Sequence, residues 1–340
     1  MIRNLLVGLV MLLVVLLVIG FMLPSNVQVS RSIVINSSPS NIFGVVDGFR
    51  QFDRWSPWAA KDPAMKVQLS GALYGVGAHY EWSGNKEVGT GSQEIIESTP
   101  YSEVKIRVLF GGFQQPNIAV FSLEPATGQG TKVTWALHAN LGDNPIWRYF
   151  GLMMDRMVGA DYERGLSALK TYVERQSKTD FGSLHPELVD LQPQTIAYLA
   201  GHSSTDIDVI GKALGEAYGK IGIGMKAAGL KMAGAPLAIT TKFDDEANVY
   251  EFDAGIPVDR GDAKLPADGP VKLMQTYAGL ALKVRHKGPY SKLPDTYALI
   301  DAFKHSYALQ DNGNSWEQYV DDPTTKPAAE VETLIFVPVN

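Results

Sequence analysis

Two stretches of the chain end alike. "VYEFDAGIPV" (249–258) and "VETLIFVPV" (331–339) are extended apolar runs that close on an apolar residue, Pro and Val, with the two prolines 81 residues apart. The order of elements upstream repeats as well. "LVDLQPQTIAYLAGHSS" (188–204) lies 85 residues before "LMQTYAGLALKVRHKGP" (273–289), each reading as strand, break, strand and polar turn. A helical stretch follows in each copy, "DIDVIGKALGEAYGKIGIGMKAAGL" and "LPDTYALIDAFKHSYALQDNG". The shrinking offset places shorter loops in the second copy. This order predicts two strand-helix-strand modules side by side about a pseudo-two-fold axis.

Aligning Pro257 with Pro338 pairs Tyr250, Phe252, Ala254 and Ile256 with Val331, Thr333, Ile335 and Val337. These apolar faces are expected beneath the helices. The opposite faces carry Glu251, Asp253 and Gly255 in one copy and Glu330, Glu332, Leu334 and Phe336 in the other. Two readings stay open. Carboxylates mixed with an aromatic suit an acidic-floored cleft for a bulky apolar ligand or a cation, or they form an ordinary solvated outer face.

The chain has 340 residues, more than one ordinary core needs, so two domains are expected. A formal charge of −6 argues against a nucleic-acid partner, which would want a basic stripe. There is no Cys, which removes disulfides, thiolate metal sites and Cys nucleophiles. Near the N-terminus, Leu5 to Leu23 runs 19 residues without a charge. As a helix that run spans about 28 Å, close to the roughly 30 Å hydrocarbon layer. It ends in Phe21-Met22-Leu23-Pro24-Ser25-Asn26, with no small-x-small cleavage site, and reads as an uncleaved anchor. Arg3 and the terminal amine, against a lone Arg31 on the far flank, place the N-terminus inside and the bulk of the chain outside the cytoplasm, in the periplasm of a Gram-negative source.

Residues 27–176 read as an antiparallel meander followed by a long helix. Ser38 and Pro39 signal a helix start. Six short β-like runs follow, each bounded by Gly, Pro, Asn or Ser. In 145–176, Met154, Val158, Tyr162, Leu166, Leu169 and Val173 recur at steps of three and four, an amphipathic helix. A curved sheet gripping that helix is the economical fold, with a cavity expected between them. "RSIVINSSPSNIFGVV", "FDRWSPWAAKDP", and "YGVGAHYEWSG" followed by "GSQEIIESTP" resemble the polyketide cyclase/dehydrase branch of the START-like (SRPBCC) superfamily. The resemblance implies a helix-grip fold with a deep apolar pocket for a lipid-like or aromatic ligand. Trp55, Trp58, Trp82, Phe110 and Trp135 are then candidate pocket walls, with core packing the open alternative. His79, His138 and Glu94 are the titratable groups in strand-like stretches, where they can equally face solvent.

The second half resembles the GyrI-like, or bacterial transcription activator effector-binding, domain through "VYEFDAGIPV", "VRHKGPYSKLPDTYALIDAF", "WEQYVDDP" and "ETLIFVPV". That resemblance implies two fused modules with a central cleft for hydrophobic, often cationic compounds, using a buried carboxylate and aromatics. Carried over, Tyr290, Trp316, Tyr319 and Phe336 become candidate cleft walls, and Asp253 and Glu332 candidate cleft acids. Leu334 stands where the family's closing motif often has Glu, so Asp253 takes that part by symmetry, or the ligand is neutral.

Other signals carry less. Gly222-x-Gly224 lacks the spacing of a nucleotide loop. Gly211, Gly215 and Gly219, at four-residue steps, suggest a close-packed helix face. Metal-ligand His spacing, a Gly-x-Ser-x-Gly elbow and a helix-turn-helix are not seen. The whole reads as an α+β chain: anchor 1–26, helix-grip domain 27–176, linker 177–184 and GyrI-like repeat domain 185–340. The expected function is membrane-anchored sensing or sequestration of a hydrophobic small molecule, without metal, cofactor or nucleic acid and with any protein partner unidentified. The alternative is a hydrolase or cyclase with a cleft carboxylate as general base.

Overall fold

The structure is a computed structural model that describes residues 2–111, 115–259, 265–266 and 269–340. Two compact units emerge: Met1–Gly182 with Ala302–Ala308, and Ser183–Asp301 with Leu309–Asn340.

The first unit starts with helix α1 (Ile2–Met22). Strand β1 (Asn26–Ile35) and the short helices α2 (Pro39–Val46) and α3 (Pro57–Lys61) come next. Six strands follow: β2 (Lys66–Gly71), β3 (Ala78–Ser83), β4 (Thr90–Thr99), β5 (Glu103–Phe110), β6 (Asn117–Pro125) and β7 (Thr131–Asn140). They form one antiparallel sheet in the order β1-β7-β6-β5-β4-β3-β2, and helix α4 (Pro145–Glu174) lies against β1. The turns are written locally. Ser38 caps α2 by accepting from the Asn41 N–H at 3.4 Å, with Pro39 in the first turn. Asn144 caps α4 by accepting from the Ile146 N–H at 3.0 Å, and Pro145 opens the helix with a fixed φ and no N–H to satisfy.

Tyr162, Leu166, Leu169 and Val173 of α4 are buried at steps of four, three and four. Glycine sets how closely the helix can lie. A Cβ at Gly165 would stand 2.7 Å from Trp135 Cζ3, and one at Gly159 would collide with the Arg31 guanidinium. Beneath the middle of the helix the space is filled by rings. Tyr162 stacks on Trp135 with centroids 3.9 Å apart, Phe121 also stacks on Trp135 at 4.8 Å, and Trp55 and Trp58 meet Trp135 edge-on at 5.6 and 5.7 Å.

The second unit contains β8 (Glu187–Leu191), β9 (Thr195–Ser203), α5 (Ile207–Ala228), β10 (Lys231–Met232), β11 (Leu237–Asp244), β12 (Val249–Asp259), β13 (Lys272–Gln275), β14 (Gly279–Lys287), helix α6 (Leu293–Tyr307) as far as Asp301, β15 (Trp316–Tyr319) and β16 (Glu332–Pro338). Its sheet runs β13-β9-β12-β11-β15-β16-β14-β8, with β10 on β12. Read from either end the order is the same pattern, four strands per half, so the repeat seen in the sequence is a pseudo-two-fold of the sheet. The opening strands are exchanged: β8 lies on β14 of the second half, and β13 on β9 of the first. The expected inner faces hold. Tyr250, Phe252, Ala254 and Ile256 pack with Leu214, Ala217, Ile221 and Met225 of α5, and Val331, Thr333, Ile335 and Val337 are buried.

The Trp135 stack predicts the main sensitivity of the first unit. Trp135→Ala empties a site closed on several sides and is expected to destabilise that unit by about 3–5 kcal/mol, read from urea unfolding in detergent. A loss under about 1 kcal/mol would show that the rings do not bear on one another.

Candidate functional site

The site in the second unit is set by strand β15. Its period of two sends Trp316 and Gln318 to one face of the sheet and Glu317 and Tyr319 to the other. Trp316 stacks on Phe336 at 5.0 Å and joins Ile196, Leu237 and Ile239 in a dry cluster. Glu317 and Tyr319 point to the helix side, into a cleft of about 1140 Å³ between α5 and α6. Because β15 pairs with β11 across the seam of the two halves (Ala238 opposite Glu317), the carboxylate sits on the pseudo-dyad.

Glu317 lies deep in the unit yet keeps part of its surface open to the cleft. Tyr297 donates to its Oε1 at 3.1 Å and Tyr319 to its Oε2 at 2.9 Å. Those two hydrogen bonds favour the anion, but loss of hydration opposes it and wins, so the carboxyl titrates above its ordinary range. The same burial keeps the phenols neutral. Tyr250 is pushed up to about 12, and Tyr297 and Tyr319 go well above the usual tyrosine value, each with burial first and the Glu317 charge next. Tyr218 completes the wall; its hydroxyl donates to the Leu237 carbonyl at 2.9 Å, which fixes the ring.

Charge on the lining is one-sided. The described residues that line the cleft include four carboxylates, Asp301, Glu317, Asp321 and Asp322, and no Lys, Arg or His. Asp321 is held low by hydrogen bonding to Lys326 at 2.7 Å and to the Glu332 N–H at 3.0 Å. Asp322 is held low by the Thr324 hydroxyl and N–H, at 2.7 and 2.8 Å. Both are anions at neutral pH. Apart from the hydroxyls of Thr205, Thr240, Ser291 and Ser315, the rest of the lining is apolar or aromatic, including Ile207, Ile210, Leu214, Phe243, Tyr290, Leu293 and Val320.

Tyr290 and Tyr319 are the sequence-derived candidates on this lining, 5.6 Å apart edge to face. Trp316 and Phe336 sit on the far face of the sheet. Glu332 is ion-paired with Arg285 at 2.6 Å, and Asp253 is half-buried on β12, raised by desolvation; neither is on the cleft lining. In the first unit Trp55 and Trp135 are buried in the ring cluster with Trp58 at its margin, and Trp82 lies 6.2 Å from Tyr80 and 6.1 Å from Phe110. Glu94 pairs with Arg107 at 2.8 Å, His79 bonds the Ser70 hydroxyl at 3.2 Å, and His138 is exposed. Among the described residues no group of three or more His, Asp or Glu could hold a metal ion.

Two features depart from the sequence reading. The cleft opens on the helix side of the sheet, not on the face carrying Asp253 and Glu332, because α5 and α6 stand apart at the seam. Gly211, Gly215 and Gly219 do not serve close packing: a Cβ at any of them meets nothing within 4 Å, and the first two line the cleft. Glu317 escaped the sequence reading although a signal was present. Placing Tyr319 in the cleft obliges residue 317, two positions away on one strand, to share its face and sends Trp316 to the other.

Residues 26–174 match the family model for polyketide cyclase/dehydrase and lipid transport, and residues 185–340 match that for the GyrI-like small molecule binding domain. The two matches follow one another along the chain, and each covers a little under half of it. Among solved structures, the EcmrR C-terminal domain is similar to 46% of this chain over 98% of its own length, at 18% identity and a TM-score of 0.40. A hydrolase from Listeria innocua covers 46% of this chain over 91% of its own length, at 18% identity and 0.34. The di-domain ARO/CYC StfQ from the steffimycin biosynthetic pathway covers 44% of this chain over 51% of its own length, at 10% identity and 0.35. At these values no function passes from them to this chain. No curated protein matches it.

The raised carboxyl has a thermodynamic signature. Between the ordinary Glu value and its folded value the native state binds the extra proton, so this group's contribution is fully present below about pH 4 and is lost as pH rises through the folded value. Glu317→Gln is expected to flatten that fall, seen as a wild-type minus variant difference in melting temperature that becomes more negative as pH rises. The difference curve cancels Asp47, raised to about 7 by burial, and Asp253.

Proposed function

We propose that the GyrI-like domain binds hydrophobic aromatic small molecules, cationic ones best, and that the chain senses or sequesters them at a membrane without chemistry of its own. The observation that carries this reading is Glu317: a carboxylate on the central seam of a tyrosine-walled cleft whose lining holds no positive charge. An empty cleft leaves that anion poorly solvated. A ligand cation among the rings supplies the missing counter-charge and gains from the faces of Tyr218, Tyr290 and Tyr319. The apolar lining discards water from the remainder of the ligand.

Tetraphenylphosphonium and the uncharged triphenylphosphine oxide separate the charge from the shape. Calorimetry on the full chain in detergent should find the cation bound more tightly, with Glu317→Gln weakening it by at least about tenfold and leaving the neutral compound little changed. Gly215→Leu should remove binding of both while keeping the fold, since it fills open space and improves helix propensity by up to about 1 kcal/mol. Equal affinities for the two compounds in wild type and variant would defeat the charge argument.

The described residues contain one helix long and apolar enough to cross a membrane, Arg3–Met22, near the N-terminus. A membrane span and a signal sequence share that composition. We read it as a span because no cleavage pattern follows, with both domains outside the cytoplasm by the Arg3 flank. Lys178→Cys in this cysteine-free chain should react with an impermeant maleimide on intact cells or spheroplasts; reaction only after lysis would reverse the orientation.

A further inference from the structure

Part of α4 carries an apolar surface that the core of the first unit does not use. Ile146, Phe150, Met153 and Met157 recur at steps of four, three and four, so they share one helix face. They stand 66%, 53%, 56% and 61% exposed. Farther along, the same face carries Arg164, Thr171 and Arg175, all exposed. One face of one helix therefore passes from apolar to polar along its length, the apolar part covering about 16 Å.

What holds that end of α4 identifies the phase it meets. Arg148 donates to the carbonyls of Phe21 at 2.9 Å and Leu23 at 3.2 Å, and the Tyr149 hydroxyl donates to the Leu16 carbonyl at 2.5 Å. Gly20 lets α1 press on Pro145, where a Cβ would stand 2.8 Å from the proline ring. Leu16 lies six residues inside the end of α1, roughly 9 Å along its axis. The first turn of α4 is thus pinned to a level within the apolar helix, not beyond it. Leu, Val and Ile are exposed all round α1, so the medium that covers α1 is continuous with the stripe one step round α4 from Tyr149. Trp147 and Tyr149 are side-chain types that favour the headgroup level, and exposed Arg156 flanks the stripe where lipid phosphates would lie.

We propose that the first three turns of α4, residues 145–157, are a membrane-docking element: they lie in the interfacial layer of the phospholipid bilayer that α1 enters, with Ile146, Phe150, Met153 and Met157 among the acyl chains. This rests on reading α1 as a membrane span. It adds a second contact that fixes the angle and height of the first unit over the bilayer, which a single flexible tether would not do.

Single cysteines at Met153, Thr171 and Val10, carrying an environment-sensitive dye, test it in the full chain reconstituted in vesicles of phosphatidylethanolamine and phosphatidylglycerol. All three positions are exposed, so the fold should tolerate the probe. A lipid-dissolved nitroxide should remove at least about half the emission at Val10 and Met153 and little at Thr171, while aqueous iodide does the reverse. Quenching of Met153 by iodide alone, with Val10 quenched from lipid, overturns the docking proposal and keeps the anchor. Met153 shielded from both quenchers assigns the stripe to a protein partner or second copy and also overturns it. Val10 inaccessible from lipid removes the anchor reading and the proposal together.

Discussion

Everything in the second unit depends on how two half-sheets join. The joint is short: Leu237, Ala238 and Ile239 of β11 opposite Gln318, Glu317 and Trp316 of β15. On one side of it, Trp316 and Phe336 close a dry cluster that holds the halves in register. On the other, α5 and α6 lie over their own halves and leave the seam uncovered. The cleft is a consequence of duplication. Two helices suited to cover half a sheet each do not meet over its middle, and the residue at the middle is an acid.

That acid is a contest between two effects. Desolvation opposes the charge, and two tyrosine hydroxyls favour it. Because the first is larger, the folded unit holds the charged form of Glu317 in an unfavourable state. Under the binding reading proposed above, ligand affinity and stability are set in opposition at this one side chain. Asp321 and Asp322 take no part in that contest; local hydrogen bonds keep them anionic, so they contribute field near the mouth at little cost to folding.

Much of the architecture was legible because it is written in local code. Ser38-Pro39 and Asn144-Pro145 mark helix starts, period-two runs mark strands, and the two Pro-Val endings announce the repeat. The buried faces of β12 and β16 followed from the same alternation. The site was less legible because it depends on which face lies beside a gap. Alternation alone distinguishes two faces of a strand without saying which one the helices leave open, so Asp253 and Glu332 were the natural candidates and Glu317 was not. The glycines of α5 show the same limit: four-residue spacing is equally the mark of close packing and of a wall kept low beside a cavity. Trp55 and Trp135 illustrate a third, since a pocket wall and a core ring have the same sequence signature.

The exchange of opening strands carries a consequence for how this unit is made. With β8 lying on β14 and β13 on β9, each half has its outermost strand supplied by the other, across most of a hundred residues. Neither half can finish folding while the ribosome still holds the later one, so assembly waits for synthesis of the whole region. A fragment ending between them would present a bare ladder of amides ready to accept the same strand from a neighbouring molecule. Duplication followed by exchange has turned what look like two modules into one cooperative object.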